Sequence, residues 1–300
     1  MKERIPLLLL PGLLNDAELW RDQLSDLVDI ADPTVGDLTV GDTMQAVADA
    51  VLAQAPPRFA LAGFSLGGFV AQQILRSAPQ RVLRLALIDT SIHADSPQRA
   101  AQRATQIASV RLPGRFHGFG DTLMRSYIDT SRLDDHLLVE RVRDMTARLG
   151  AEVFLRQSGL DREDGHALLA AYRDPMLIVC GENDRITPLP ISQEMQALAP
   201  HATLVGGARM RAPVTDGKAC RGQCRDARVV AERLILQRHS AEPGSALPGS
   251  VNPRRGRCRP GWPADGRDPA WRSGRGLRRS DAGGPLPGCW PGSRAGWRRE

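Results

Sequence analysis

The stretch Phe59-Ala60-Leu61-Ala62-Gly63-Phe64-Ser65-Leu66-Gly67-Gly68 decides how this chain is read. Residues 59–62 make a short apolar strand. After Ser65, Leu66, Val70, Ala71, Ile74 and Leu75 form one helical stripe that ends before Ala78-Pro79. A strand therefore gives way to a helix within a few residues, with Ser65 at the reversal. So tight a turn needs small residues two before and two after the serine, and Gly63 and Gly67 supply them. The serine is expected to hold strained backbone at roughly 1–3 kcal/mol. In return its hydroxyl stands at a helix N-terminus, where backbone amides and the helix dipole stabilise developing negative charge.

Outward from this turn, apolar runs alternate with helical periodicity. Ile5 to Leu10 reads as a buried strand closed by Pro11-Gly12, and Asn15 as the N-cap, with Glu18 three residues on, of a helix whose apolar face is Leu19, Trp20, Leu24, Leu27 and Val28. A helix follows over about 43–54, and a strand over 82–89. Residues 91–170 are helical and polar without strands. A strand at 176–180, a helix at 189–198 and a last strand at 202–205 complete the pattern. It predicts an α/β fold: a mostly parallel sheet covered by helices on both faces, with a helical insertion at about 91–170.

The last sixty of the 300 residues differ sharply. Residues 241–300 hold 12 Gly, 9 Pro and 12 Arg but only four of Leu, Ile, Val and Phe together, too little apolar surface to offset chain entropy. They are expected to be a disordered Arg/Gly/Pro-rich tail. With 12 Arg against 5 acids the tail carries +7 of the net +6, leaving −1 for residues 1–240. The balance thus gives the folded part no reason to seek nucleic acid or anionic lipid, and the RGG-like tail segments are read as solvated charge. No apolar run reaches the ~20 residues of a membrane-spanning helix. The Met1 to Leu10 segment is not read as a secretory signal, because Pro11-Gly12 breaks it and no cleavage site follows. A cytoplasmic location is the expectation. Cys180, Cys220, Cys224, Cys258 and Cys289 contain no CxxC pair, so neither a disulfide framework nor a zinc site is expected.

On the elbow at Gly63 to Gly68, residues 5–205 resemble the α/β-hydrolase fold superfamily, in particular small bacterial esterases and enol-lactonase-like members with a helical cap. The resemblance implies a domain over 1–206, with Ser65 as nucleophile. The turn Pro11-Gly12-Leu13-Leu14 corresponds to the family's His-Gly turn with Pro in place of His. The backbone amides of Leu13 and Leu66 are the implied oxyanion hole. Cys180-Gly181-Glu182-Asn183-Asp184, followed by Thr187-Pro188, implies Asp184 as the acid that orients a histidine, with Glu182 the alternative. No metal or organic cofactor is implied.

The histidine itself is missing. The family places it within about fifteen residues of Val205, and none is there; His201 precedes the last strand and His239 lies well beyond it. His93, His117, His136 and His166 fall in or beside the helical insertion, and His93 alone lies near the top of the sheet as a fallback. From Gly206 to Ala219 apolar periodicity is lost. Read as codons, a forward shift of one base across Met210 to Ala219 permits Cys-Gly-His-Leu-Ser-Pro-Met-Glu-Lys-Pro, with the histidine overlapping Ala212, which resembles the family's Gly-His-x-Ser-Pro turn. Residues 207–240 are accordingly read as an aberrant segment in which Val229, Val230, Leu234 and Ile235 could form one short helix. The expected function is a serine hydrolase acting on a small carboxylic ester, thioester or lactone, impaired for want of its base. The alternative is an inactive hydrolase-like scaffold.

Overall fold

A computed structural model describes residues 4–111, 116–181 and 183–207. The expectations for residues beyond Gly207 lie outside these. Among the described residues the strands are β1 (Ile5–Leu10), β2 (Ala31–Val35), β3 (Phe59–Phe64), β4 (Val82–Ile88), β5 (Met176–Gly181) and β6 (Thr203–Gly207). They form one sheet in the order β2-β1-β3-β4-β5-β6, with every neighbouring pair parallel. The helices are α1 (Arg21–Asp26), α2 (Met44–Gln54), α3 (Leu66–Ser77), α4 (Pro97–Val110), α5 (Asp121–Tyr127), α6 (His136–Gly159), α7 (His166–Ala171) and α8 (Leu189–Leu198).

The central strands read as unbroken apolar runs because both their faces are buried. Leu8 and Leu10 of β1 pack with α2, α3 and α8 through Val47, Val70, Ile74 and Met195, whereas Leu7 and Leu9 face Trp20 and Leu27 on the other side. Each such aliphatic side chain stabilises the fold by about 1.5–3 kcal/mol. From β1 the chain steps outward to β2 and then back across to β3. Right-handed crossovers therefore put α1 on one face and α2, α3 and α8 on the other. The order in which strands are added reverses at β1, and ligands of such sheets bind in the crevice beyond the carboxyl ends of the strands at that point.

Two local expectations are corrected. Asn15 is buried and caps no helix; Asp16 caps a 3-10 turn over Ala17–Trp20, accepting a hydrogen bond from the Glu18 amide at 3.0 Å, and α1 follows that turn with no side-chain cap of its own. The strand β2 was not anticipated. It is an edge strand containing Pro33, a residue that edges tolerate because they need no second ladder.

Between β4 and β5 the described residues form helices joined by loops and no strand, as expected. They carry a core of their own, in which Phe119, Met124, Leu138 and Phe154 close on Leu14 with Leu13 packed against them. Gly150, at φ 77°, breaks α6 into two helical parts. No described helix is long and apolar enough to cross a membrane.

Candidate active site

Ser65 stands between β3 and α3 with φ 50° and ψ −111°, a conformation that L-residues avoid. The turn is held from both sides. The Ser65 amide donates to the Ile88 carbonyl at 2.9 Å, and the Ser65 carbonyl accepts from the Gly68 amide at 3.0 Å and from the buried Thr90 hydroxyl at 2.7 Å. The flanking glycines are small for a reason beyond the turn. A Cβ on Gly63 would lie 2.4 Å from the Gly67 carbonyl oxygen, and one on Gly67 would lie 2.4 Å from the Leu10 and 2.6 Å from the Pro11 carbonyl oxygens. The first turn of α3 is thus pressed against the end of β1. Backbone atoms cannot swing aside as a side chain can, so Gly67→Ala should destabilise the fold by about 3 kcal/mol. Urea denaturation checks this, and a loss under ~1 kcal/mol would show that the two turns separate easily.

That contact sets the candidate oxyanion turn beside the elbow. Gly12 to Asn15 closes through a bond from the Asn15 amide to the Gly12 carbonyl at 3.2 Å, placing Leu13 second in the turn. Leu14 is fully buried at φ 51°, and its amide donates to Gln157 Oε1 at 2.8 Å. Gln157, from α6, in turn donates to the Leu38 carbonyl at 3.0 Å. Leu66, as the first residue of α3, has an amide with no acceptor inside its own helix. Gln157 ties this turn to α6, a link that sequence reading missed because a lone buried glutamine carries no spacing signal.

The parallel strands bring Asp184, just beyond β5, to the same carboxyl edge as Ser65. Its Oδ1 accepts from the amides of Ile186 at 2.7 Å and Thr187 at 3.0 Å, and its Oδ2 accepts from the Thr187 hydroxyl. Glu182, the alternative acid, lies outside the described residues. A second carboxyl was not foreseen. Asp89 follows β4 at φ 42° and accepts from the Gly181 amide at 2.7 Å, with Asp89, Cys180 and Asp184 each offering an atom within 4.8 Å of the others. The Asp89 carboxyl is pushed up to about 7, chiefly by burial and further by the charge of Asp184, against the lowering effect of the Gly181 hydrogen bond. Its signal in the sequence was hidden at the end of an apolar strand.

No hydrogen bond joins a described histidine to Ser65 or Asp184. His93, the fallback base, bonds through Nε2 to Glu194 Oε2 at 2.8 Å, and His166 Nε2 meets Glu194 Oε1 at 2.9 Å. His201 faces the Asp174 carbonyl at 3.1 Å, and His136 opens α6. His117 lies in the loop before α5, and His239 lies outside the described residues.

The model of the alpha/beta hydrolase fold matches residues 32–206, more than half of the chain. The chain belongs to the alpha/beta-hydrolase family. Over 180 residues it is 28% identical to the pimeloyl-(acyl-carrier protein) methyl ester esterase of Aromatoleum aromaticum, a match covering 55% of this chain and 70% of that protein. Across the curated relatives it matches, this hydrolase chain spans 59–70% of their length. Among solved structures it resembles a thermophilic esterase from Thermogutta terrifontis at 27% identity and a TM-score of 0.59, over 68% of this chain and 80% of that one. The fold is shared with the enol-lactonase of Burkholderia xenovorans, at 16% identity and a TM-score of 0.65, over 78% and 93% of the two chains.

Proposed function

We propose that this hydrolase is built to cleave a carboxylic ester, thioester or lactone through Ser65 and an acyl-enzyme, and that the chain as written does so poorly because its base is absent. The observation that carries the reading is the left-handed backbone of Ser65 at the N-terminus of α3. In the reaction the serine oxygen attacks the substrate carbonyl as a base takes its proton, and the oxyanion settles on the amides of Leu13 and Leu66. The collapsing intermediate expels the alcohol or thiol, which leaves with that proton, and water then releases the acid. Ser rather than a carboxylate at the elbow disfavours dehalogenase chemistry. The name of the esterase relative supports ester-like substrates, and the helical residues between β4 and β5 would cap the crevice as residues 91–170 of a domain over 1–206.

Of the two carboxyls, Asp184 suits the acid role. An orienting acid must be ionised to stabilise an imidazolium, and Asp89, pushed up to about 7, keeps much of its proton at neutral pH. Asp89 serves instead as a buttress under the Asp184 loop.

The test is turnover of p-nitrophenyl acetate by the full chain beside Ser65→Ala. The two rates should lie within about tenfold of each other, since removing a triad base leaves only the contribution of the oxyanion hole and binding. A robust rate that only Ser65→Ala abolishes would mean that one of the chain's own histidines acts as the base, and the impairment would then be wrong.

A further inference from the structure

His93, His166 and Glu194 come from three separate segments, the loop after β4, the start of α7 and the middle of α8, yet their donor atoms lie within 4.8 Å of one another. One carboxylate oxygen of Glu194 faces each Nε2, at 2.8 and 2.9 Å, and the two imidazoles approach at 73° with centroids 5.0 Å apart. We propose that these three side chains form a site for a divalent transition metal of the zinc class, bound by His93 Nε2, His166 Nε2 and the Glu194 carboxylate with a water at the open position.

The donor set is two imidazoles and one carboxylate, which zinc favours, and tetrahedral bonds of ~2.0–2.1 Å need donors about 3.3–3.5 Å apart. A small opening of the present hydrogen bonds achieves that spacing. The side chains can make it, because they are 33–40% exposed, which also gives the ion an entry path. The second shell is already assembled. His166 Nδ1 bonds to the Asp164 carboxylate at 2.8 Å, the arrangement that orients metal-bound histidines and would leave Nε2 to ligate the ion. Without metal, both nitrogens of His166 face carboxylates, Nδ1 that of Asp164 and Nε2 that of Glu194. Cysteine spacing gave no sign of such a site, and the separations among residues 93, 166 and 194 resemble no metal motif.

A bound ion would tie α7 and α8 to the loop following β4, clamping the end of the helical insertion to the sheet's covering layer. The experiment adds Co²⁺ and Zn²⁺ to the full chain after chelation, reading stoichiometry by calorimetry, the thermal midpoint, and the visible spectrum of the cobalt form. Expected are one ion per chain, a rise in midpoint of several degrees, and cobalt bands without the thiolate charge-transfer absorption that Cys220 or Cys224 ligation would give. Glu194→Gln, an isosteric change on a half-exposed residue, should abolish tight binding with the fold retained by circular dichroism, and so should His166→Gln. Asp164→Asn, which leaves all three ligands in place, should weaken binding by about 10–100-fold. Absence of stoichiometric binding in the parent would overturn the proposal and leave the cluster as an ion pair only. Binding that persists unchanged in Glu194→Gln and His166→Gln, or that shows thiolate absorption, would overturn it equally.

Discussion

Correcting the reading frame by one base between codons 205 and 210 should raise ester hydrolysis by on the order of 10⁴-fold or more over the present chain. The expectation follows from what the site has and lacks. The strained serine, the turn carrying Leu13 and the carboxylate of Asp184 are at one edge of the sheet, but no described histidine bonds to either the serine or the acid. In serine triads, loss of the base removes on the order of 10⁶ in kcat. The shifted frame can encode a histidine opposite Ala212, in the stretch that follows β6, the strand beside β5 and therefore beside the Asp184 loop. An imidazole there could take the serine proton while the carboxylate stabilises its charge. The comparison is activated-ester turnover by the corrected and present proteins, with Ser65→Ala made in the corrected background. A corrected protein that folds and is no faster, or genomic codons that place another residue opposite Ala212, would defeat the idea.

Asp89→Asn should make the protein more stable at pH 8 by about 2–4 kcal/mol, with the gain vanishing near pH 4. The Asp89 carboxyl is raised from 3.8 to about 7, chiefly by burial. Below pH 4 it is protonated in folded and unfolded chains alike and costs nothing. As pH climbs to 7 the unfolded chain loses this proton first, so the native state is progressively disfavoured, and above 7 the penalty levels off. A carboxyl displaced that far from its ordinary value costs the fold roughly 4 kcal/mol at most once it is ionised. Asparagine removes the charge, can still accept from the Gly181 amide and tolerates the positive φ. Urea midpoints of both proteins at several pH values report this group together with its coupling to Asp184, since the titrations remote from Asp89 are common to the two. A stability difference that does not grow between pH 4 and 8 would contradict the buried-acid reading.

The sequence made the elbow legible because its constraint is local: a strand, a serine between glycines and a helical stripe all fall within about twenty residues. The sheet was legible for a similar reason, since strands buried on both faces are apolar throughout. What it hid depends on neighbours distant in the chain. The short edge strand β2, with Asp32, Pro33 and Thr34 inside it, has almost no apolar signal. Asp89 looked like the polar end of a strand until the β5 loop closed over it. His93, His166 and Glu194 meet only because α7 and α8 pack side by side over the sheet, which no spacing announces.

The bond from the Leu14 amide to Gln157 spans 143 residues, and it has a consequence in time. Leu14 is held left-handed in a buried turn, yet the acceptor that satisfies its amide belongs to α6, which leaves the ribosome long after β1. The amino-terminal strand can pair with β2 and β3 while this turn is still open, and the turn can lock only when the helical insertion docks. In native-state hydrogen exchange the Leu14 amide should therefore open together with α6 rather than with the β1 amides a few residues away. The turn proposed to carry the oxyanion is thus expected to become rigid only once α6 has docked against it.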